Sequence, residues 1–130
     1  MTKTFIPPSL RIWFIIHGIV DLLFAIPLVS YPKQTLTFLG WTIIDPFATR
    51  LVGAALLGMG LVSLVEVKKD IEHYRSLLNF KMTWSFFAII GVFMSIMEGA
   101  PPFGWVVFII FVVFFGVWTH YLKKLREGIR

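Results

Sequence analysis

The sequence predicts an all-α integral membrane four-helix bundle, antiparallel and up-down, forming one domain over residues 1–130. Composition is the first reason. Of 130 residues, 58% are hydrophobic and 15% charged, whereas soluble domains hold about a quarter charged residues. Mean hydropathy is +0.84. Spacing is the second reason: four apolar runs are each long enough to cross roughly 30 Å of hydrocarbon at about 1.5 Å per residue. The third is that most of the charge falls between those runs.

The first run covers residues 10–29. Lys3 and Arg11 precede it as in a secretory signal, but its roughly 18 apolar residues carry His17 and Asp21 and lack a small-x-small cleavage site. It therefore reads as a retained helix. Pro27 should kink or end it, having no N–H to donate. In residues 31–44, Leu36, Phe38, Leu39 and Trp41 make the segment too apolar for a free loop. It reads as a short helix lying in the membrane interface and stopped by Gly40. Asp45-Pro46 supplies a capping carboxylate and a first-turn proline to the second span, 47–67. Asp70 caps a helix that begins in water at Ile71 and enters lipid as the third span, 77–97. Glu98-Gly99-Ala100 forms a tight turn, and Pro101-Pro102 opens the fourth span, 102–122.

With four spans, both termini and the 68–76 loop share one side. That side holds Lys3, Arg11, Lys68, Lys69, Arg75, Lys81, Lys123, Lys124, Arg126 and Arg130, while the other holds Lys33 and Arg50. Such a bias places the termini in the cytoplasm of a protein of the inner or plasma membrane. The same pattern accounts for the net charge of +5 without nucleic acid, since no basic face with interleaved aromatics remains outside the helices. The expected partners are the lipid bilayer and a second membrane protein or copy of the chain. There is no cysteine, so disulfides, thiolate metal sites and thiol redox chemistry are excluded.

Ionisable residues within spans are functional candidates, because placing them in hydrocarbon is costly. His17, Asp21, Arg50 and Glu98 qualify. His17 and Asp21 stand at i and i+4, so Asp21 leans back toward His17 on one helix face. This is either an acid–base pair or a packing bond. Arg50 and Glu98 lie near the outer ends of their spans and lean toward each other in depth, which predicts a structural salt bridge. Gly53, Ala54, Gly58 and Gly60 in the second span, with Gly91 and Ser95 in the third, mark close helix packing or dimerisation. Three histidines raise the question of haem, but His17 and His120 differ in depth by roughly 6 Å. No zinc-ligand spacing, nucleophile elbow or phosphate loop occurs, and the sequence names no cofactor or metal.

Arg11-Ile-Trp-Phe-Ile-Ile-His17-Gly18 resembles the opening helix of DoxX-like proteins, small four-helix prokaryotic membrane proteins that often carry a His-Gly pair there. The run from Arg50 to Gly60 is similar to their Gly- and Leu-rich second helix. The chain departs from the pattern at Asp21, where a basic residue often stands, and at Arg50, where an acidic one does. The resemblance implies the fold over nearly the whole chain rather than the quinone- or sulfur-linked roles of some members.

Three functions fit this reading. The first is a non-catalytic membrane protein, either a subunit of a membrane complex or a binder of an apolar or lipidic ligand. It is favoured because the loops are too short for a soluble domain and no catalytic constellation appears. The second is an oligomeric transporter or channel with His17 and Asp21 lining a path. The third is a membrane enzyme acting on a lipid or quinone with that pair as acid and base.

Overall fold

The computed structural model describes residues 5–128, so Lys3 and Arg130, counted above for orientation, lie outside the described residues. The described chain is built from helices: α1 Pro8–Ser30, α2 Pro32–Phe38, α3 Pro46–Val65 with a 3-10 turn Glu66–Lys68, α4 Ile71–Met97 and α5 Phe103–Glu127. No strand occurs among the described residues. Four helices, α1, α3 with its 3-10 turn, α4 and α5, are long and apolar enough to cross a membrane.

Local chemistry sets the boundaries. Asp45 Oδ1 accepts from the backbone N–H groups of Phe47 (2.9 Å) and Ala48 (3.2 Å), two donors that the first turn of α3 cannot satisfy internally. Asp70 Oδ1 likewise accepts from His73 N–H at 3.2 Å at the start of α4. Helices α2 and α4 stop by the same device. Gly40 (φ 101°) and Gly99 (φ 99°) take the left-handed conformation that side chains resist. Gly40 and Trp41 N–H then bond the Thr37 and Leu36 carbonyls, and Gly99 and Ala100 N–H bond those of Ile96 and Ser95.

Two helices run past the expected spans. Helix α1 carries Pro27 inside it and ends at Ser30, one residue beyond the expected 29. The Pro27 carbonyl accepts both Tyr31 N–H (2.8 Å) and the Thr35 hydroxyl (3.1 Å), tying α2 to the end of α1. Helix α5 runs past residue 122 to Glu127, with Lys124 and Arg126 in its last turn where cations suit the helix dipole.

The chain forms two compact units. One comprises residues 11–68, carrying most of α1 with α2 and α3; the other joins residues up to Leu10 with those from Lys69 onward, carrying the start of α1 with α4 and α5. In the second unit, rings from α4 and α5 pair as Phe86 with Phe115 and Phe93 with Phe108. Its start of α1 is fastened by the Tyr121 hydroxyl, 2.7 Å from Ser9 Oγ.

Candidate functional site

Helix α1 buries Leu10, Phe14, His17, Gly18, Asp21, Ala25 and Leu28, a stripe spaced by three and four residues that marks one helix face. Two polar side chains therefore sit in the middle of an otherwise apolar stripe. His17 is 5% exposed and Asp21 6%. His17 Nδ1 lies 3.3 Å from Asp21 Oδ2, the contact that their spacing predicts.

Glycines bring α3 onto this pair. A Cβ at Gly18 would stand 2.7 Å from Leu64 Cγ and 3.0 Å from the Gly60 carbonyl; one at Gly60 would stand 3.0 Å from Asp21 Cβ and 3.1 Å from the Gly18 carbonyl. The backbones approach at this level because neither position carries a side chain. One turn on, buried Ser63 donates its hydroxyl to the Met59 carbonyl at 2.7 Å, satisfying itself within α3.

An arginine fastens each end of the same helix pair. Arg50, exposed on α3, donates Nε to the Val29 carbonyl at 3.1 Å near the end of α1, beside Gly53, whose added Cβ would meet Val29 Cγ2 at 2.8 Å. Arg11 on α1 donates to the Val67 carbonyl in the 3-10 turn that follows α3. Each guanidinium thus reaches a carbonyl that its helix terminus leaves exposed. Glu98, expected to pair with Arg50, is exposed at the end of α4 and belongs to the other unit.

The small residues divide. Gly53 and Gly60 are buried in the α1–α3 approach, whereas a Cβ at Gly58 or Gly91 would meet no atom within 4 Å. Ala54 and Ser95 are exposed, and Ser95 donates to the Gly91 carbonyl at 3.0 Å. In the α4–α5 unit the sequence reading missed Lys81. It is 3% exposed, and Nζ stands 5.3 Å from the ring centre of fully buried Trp118, a cation–π distance. The signal was present: Tyr74, Leu78, Lys81 and Ser85 recur at four, three and four residues and are all buried.

A cavity of about 470 Å³ lies between α1 and α2. Leu23, Phe24 and Pro27 form one wall; Thr35, Phe38 and Leu39 form the other, with Tyr31 and Gln34 completing the lining. No group of three His, Asp or Glu capable of holding a metal ion occurs among the described residues. Outside the spans, Asp70 has its carboxyl held below the ordinary value of 3.8, chiefly by the side-chain hydrogen bond with His73 at 2.7 Å. The fold and this site thus define a class, an all-helical chain with four helices of membrane-spanning length and apolar composition. Compared with protein families, curated proteins and solved structures, the chain matches none.

Proposed function

We propose that this chain is a small non-catalytic integral membrane protein, a DoxX-like antiparallel four-helix bundle that binds an apolar, lipidic ligand. Its His17–Asp21 pair is a structural clasp. The observation that carries this reading is the closure around that pair: both residues are buried, and Gly60 lies against Asp21 so closely that even a Cβ there would stand 3.0 Å away. An acid–base catalyst must reach the proton it moves, directly or through one water. Here both side chains are buried and α3 lies against Asp21 Cβ, which disfavours that access. The same closure favours a clasp over a conduction path.

The antiparallel topology is supported by the order of contacts. In the first unit Arg11 meets Val67, Gly18 meets Gly60 and Val29 meets Gly53; in the second, Phe86 meets Phe115 and Phe93 meets Phe108. Partners fall along one helix as they rise along the other. The charge bias then puts both termini in the cytoplasm and α2 at the outer interface of the cell membrane. A lipidic ligand is favoured over a protein partner by the α1–α2 cavity, whose volume lies within the roughly 300–1,000 Å³ usual for small-molecule sites.

Asp21→Asn tests the clasp. The variant keeps the shape and most of the hydrogen bonding, so it should fold, melt and co-purify with lipid like the parent. A well-folded Asp21→Asn protein that loses a transport or turnover activity shown by the parent would overturn the reading.

A further inference from the structure

We infer that the cavity between α1 and α2 is a binding site for an uncharged lipid with a free hydroxyl on its head, the chemistry of a diacylglycerol. This names the ligand class within the lipid-binding function proposed above and rests on it. The lining carries no charged side chain. Lys33, the nearest cation in sequence, precedes Thr35 by two residues and so points about 200° around α2 from it. Arg50 is engaged by the Val29 carbonyl and Asp45 by the first turn of α3. A phosphate or carboxylate seated here would find no countercharge in the lining. A neutral head needs none.

The polar content of the lining fits a hydroxyl. Pro27 has no N–H, so the carbonyl of Leu23, which points along α1 toward the Pro27 nitrogen, has no donor four residues on. Leu23 and Pro27 both line the cavity. Tyr31 adds a hydroxyl and Gln34 a carboxamide, each able to donate and accept. Thr35 is committed, its hydroxyl bonded to the Pro27 carbonyl at 3.1 Å. A lipid hydroxyl can thus donate to the Leu23 carbonyl and accept from Tyr31 or Gln34. Leu23, Phe24, Phe38 and Leu39 offer the surface on which an acyl chain lies, and Phe38, 88% exposed, presents most of its ring for cover. The Pro27 carbonyl anchors the opposite wall by accepting from the Thr35 hydroxyl.

The test uses the full chain in phosphatidylcholine nanodiscs with a diacylglycerol bearing a photoactivatable group on one acyl chain. Labelling should saturate and map to peptides covering residues 23–39. Unlabelled diacylglycerol should compete, whereas phosphatidic acid (a charged head) and triacylglycerol (no hydroxyl) should not. Tyr31→Phe and Gln34→Leu, substitutions at exposed positions checked for native helicity, should each weaken labelling about two- to tenfold. Equal competition by triacylglycerol or phosphatidic acid would overturn the inference while leaving an apolar-ligand function standing. Absence of saturable labelling by any of these lipids in folded protein would sink both.

Discussion

The two compact units solve one problem in opposite ways. In the unit of residues 11–68, α1 and α3 approach through glycines, so backbone lies against backbone at Gly18 and Gly60. In the unit of α4 and α5 the helices meet through aromatic rings, with Phe86 on Phe115 and Phe93 on Phe108, while Trp118 stacks on Phe114 at 5.6 Å within α5. Lipid tails are as apolar as leucine, so neither contact gains much from apolar burial alone; dispersion and polar bonds must hold the helices together. Close backbone approach leaves little space, and the pair it encloses is small, with His17 Nδ1 3.3 Å from Asp21 Oδ2. The unit of α4 and α5 instead holds a long cation, Lys81, over the face of Trp118. The two units thus bury different polar groups, a histidine and an aspartate in one and a lysine in the other.

The comparison breaks first, and most severely, at Trp118. Fully buried, this residue contributes both the stacking partner of Phe114 and the ring beneath Lys81. Trp118→Ala should cost about 3–5 kcal/mol, the range for deleting a buried aromatic in a soluble core, and in detergent or lipid the value should fall toward the lower end. Denaturant titration of the solubilised protein, followed by helicity, measures it. Trp118→Phe keeps a ring under the ammonium and should recover much of the loss.

Glycine position sharpens the contrast next. Gly60→Leu forces carbon into Asp21 and the Gly18 carbonyl, one of them backbone that cannot yield cheaply, and should cost about 1–3 kcal/mol in the same titration. Gly58→Leu, two residues away with nothing within 4 Å of its Cβ, should change stability by less than about 0.5 kcal/mol. Equal effects at both positions would mean that α1 and α3 do not meet through this face.

These two glycines also show where sequence reasoning ran out. Helix ends were legible because their chemistry is local: Asp45 before Pro46, Asp70 before Ile71, and Gly40 and Gly99 at helix stops each act on backbone within four residues. The His17–Asp21 contact was legible for the same reason, since helical spacing alone brings the two together. Which side of α3 faces a neighbour is not local. Gly53, Gly58 and Gly60 look alike in a run that is apolar all round, because the usual polar face that reveals orientation is absent from a helix meant for lipid. No contact was expected of Arg11; its bond to the Val67 carbonyl joins residues 56 apart in sequence and leaves no periodic mark. Lys81 was hidden differently: a lysine near the end of a span is ordinarily expected to reach water, and the aromatic face that holds it lies on α5.

Each unit also contains a helix begun by an aspartate, and this finer comparison carries the smaller effects. Asp45 caps α3 through two backbone N–H groups, so Asp45→Ala should cost about 0.5–2 kcal/mol. Asp45→Asn should cost less, since an amide oxygen can still accept.

Asp70 caps α4 through one backbone N–H and the His73 ring, and that difference makes its contribution dependent on pH. The side-chain bond with His73 comes first among the causes that hold the folded carboxyl below 3.8, followed by the backbone N–H of the same residue. A carboxyl whose folded value is lowered binds its proton more readily in the unfolded chain. Its contribution to stability is therefore complete above the ordinary value and fades as pH falls through the lowered one. Asp70 is exposed at the surface, where water and salt screen the interaction, so the effect should be the smallest of those described here. Melting of the parent and of Asp70→Asn, compared between ~pH 6 and ~pH 3, isolates it. The gap between the two proteins should be widest at the higher pH and close at the lower. His73→Ala should remove most of the difference while leaving the backbone cap in place. A gap that widens on acidification would mean that Asp70 is stabilised in its protonated form, contrary to the bonds it makes at the start of α4.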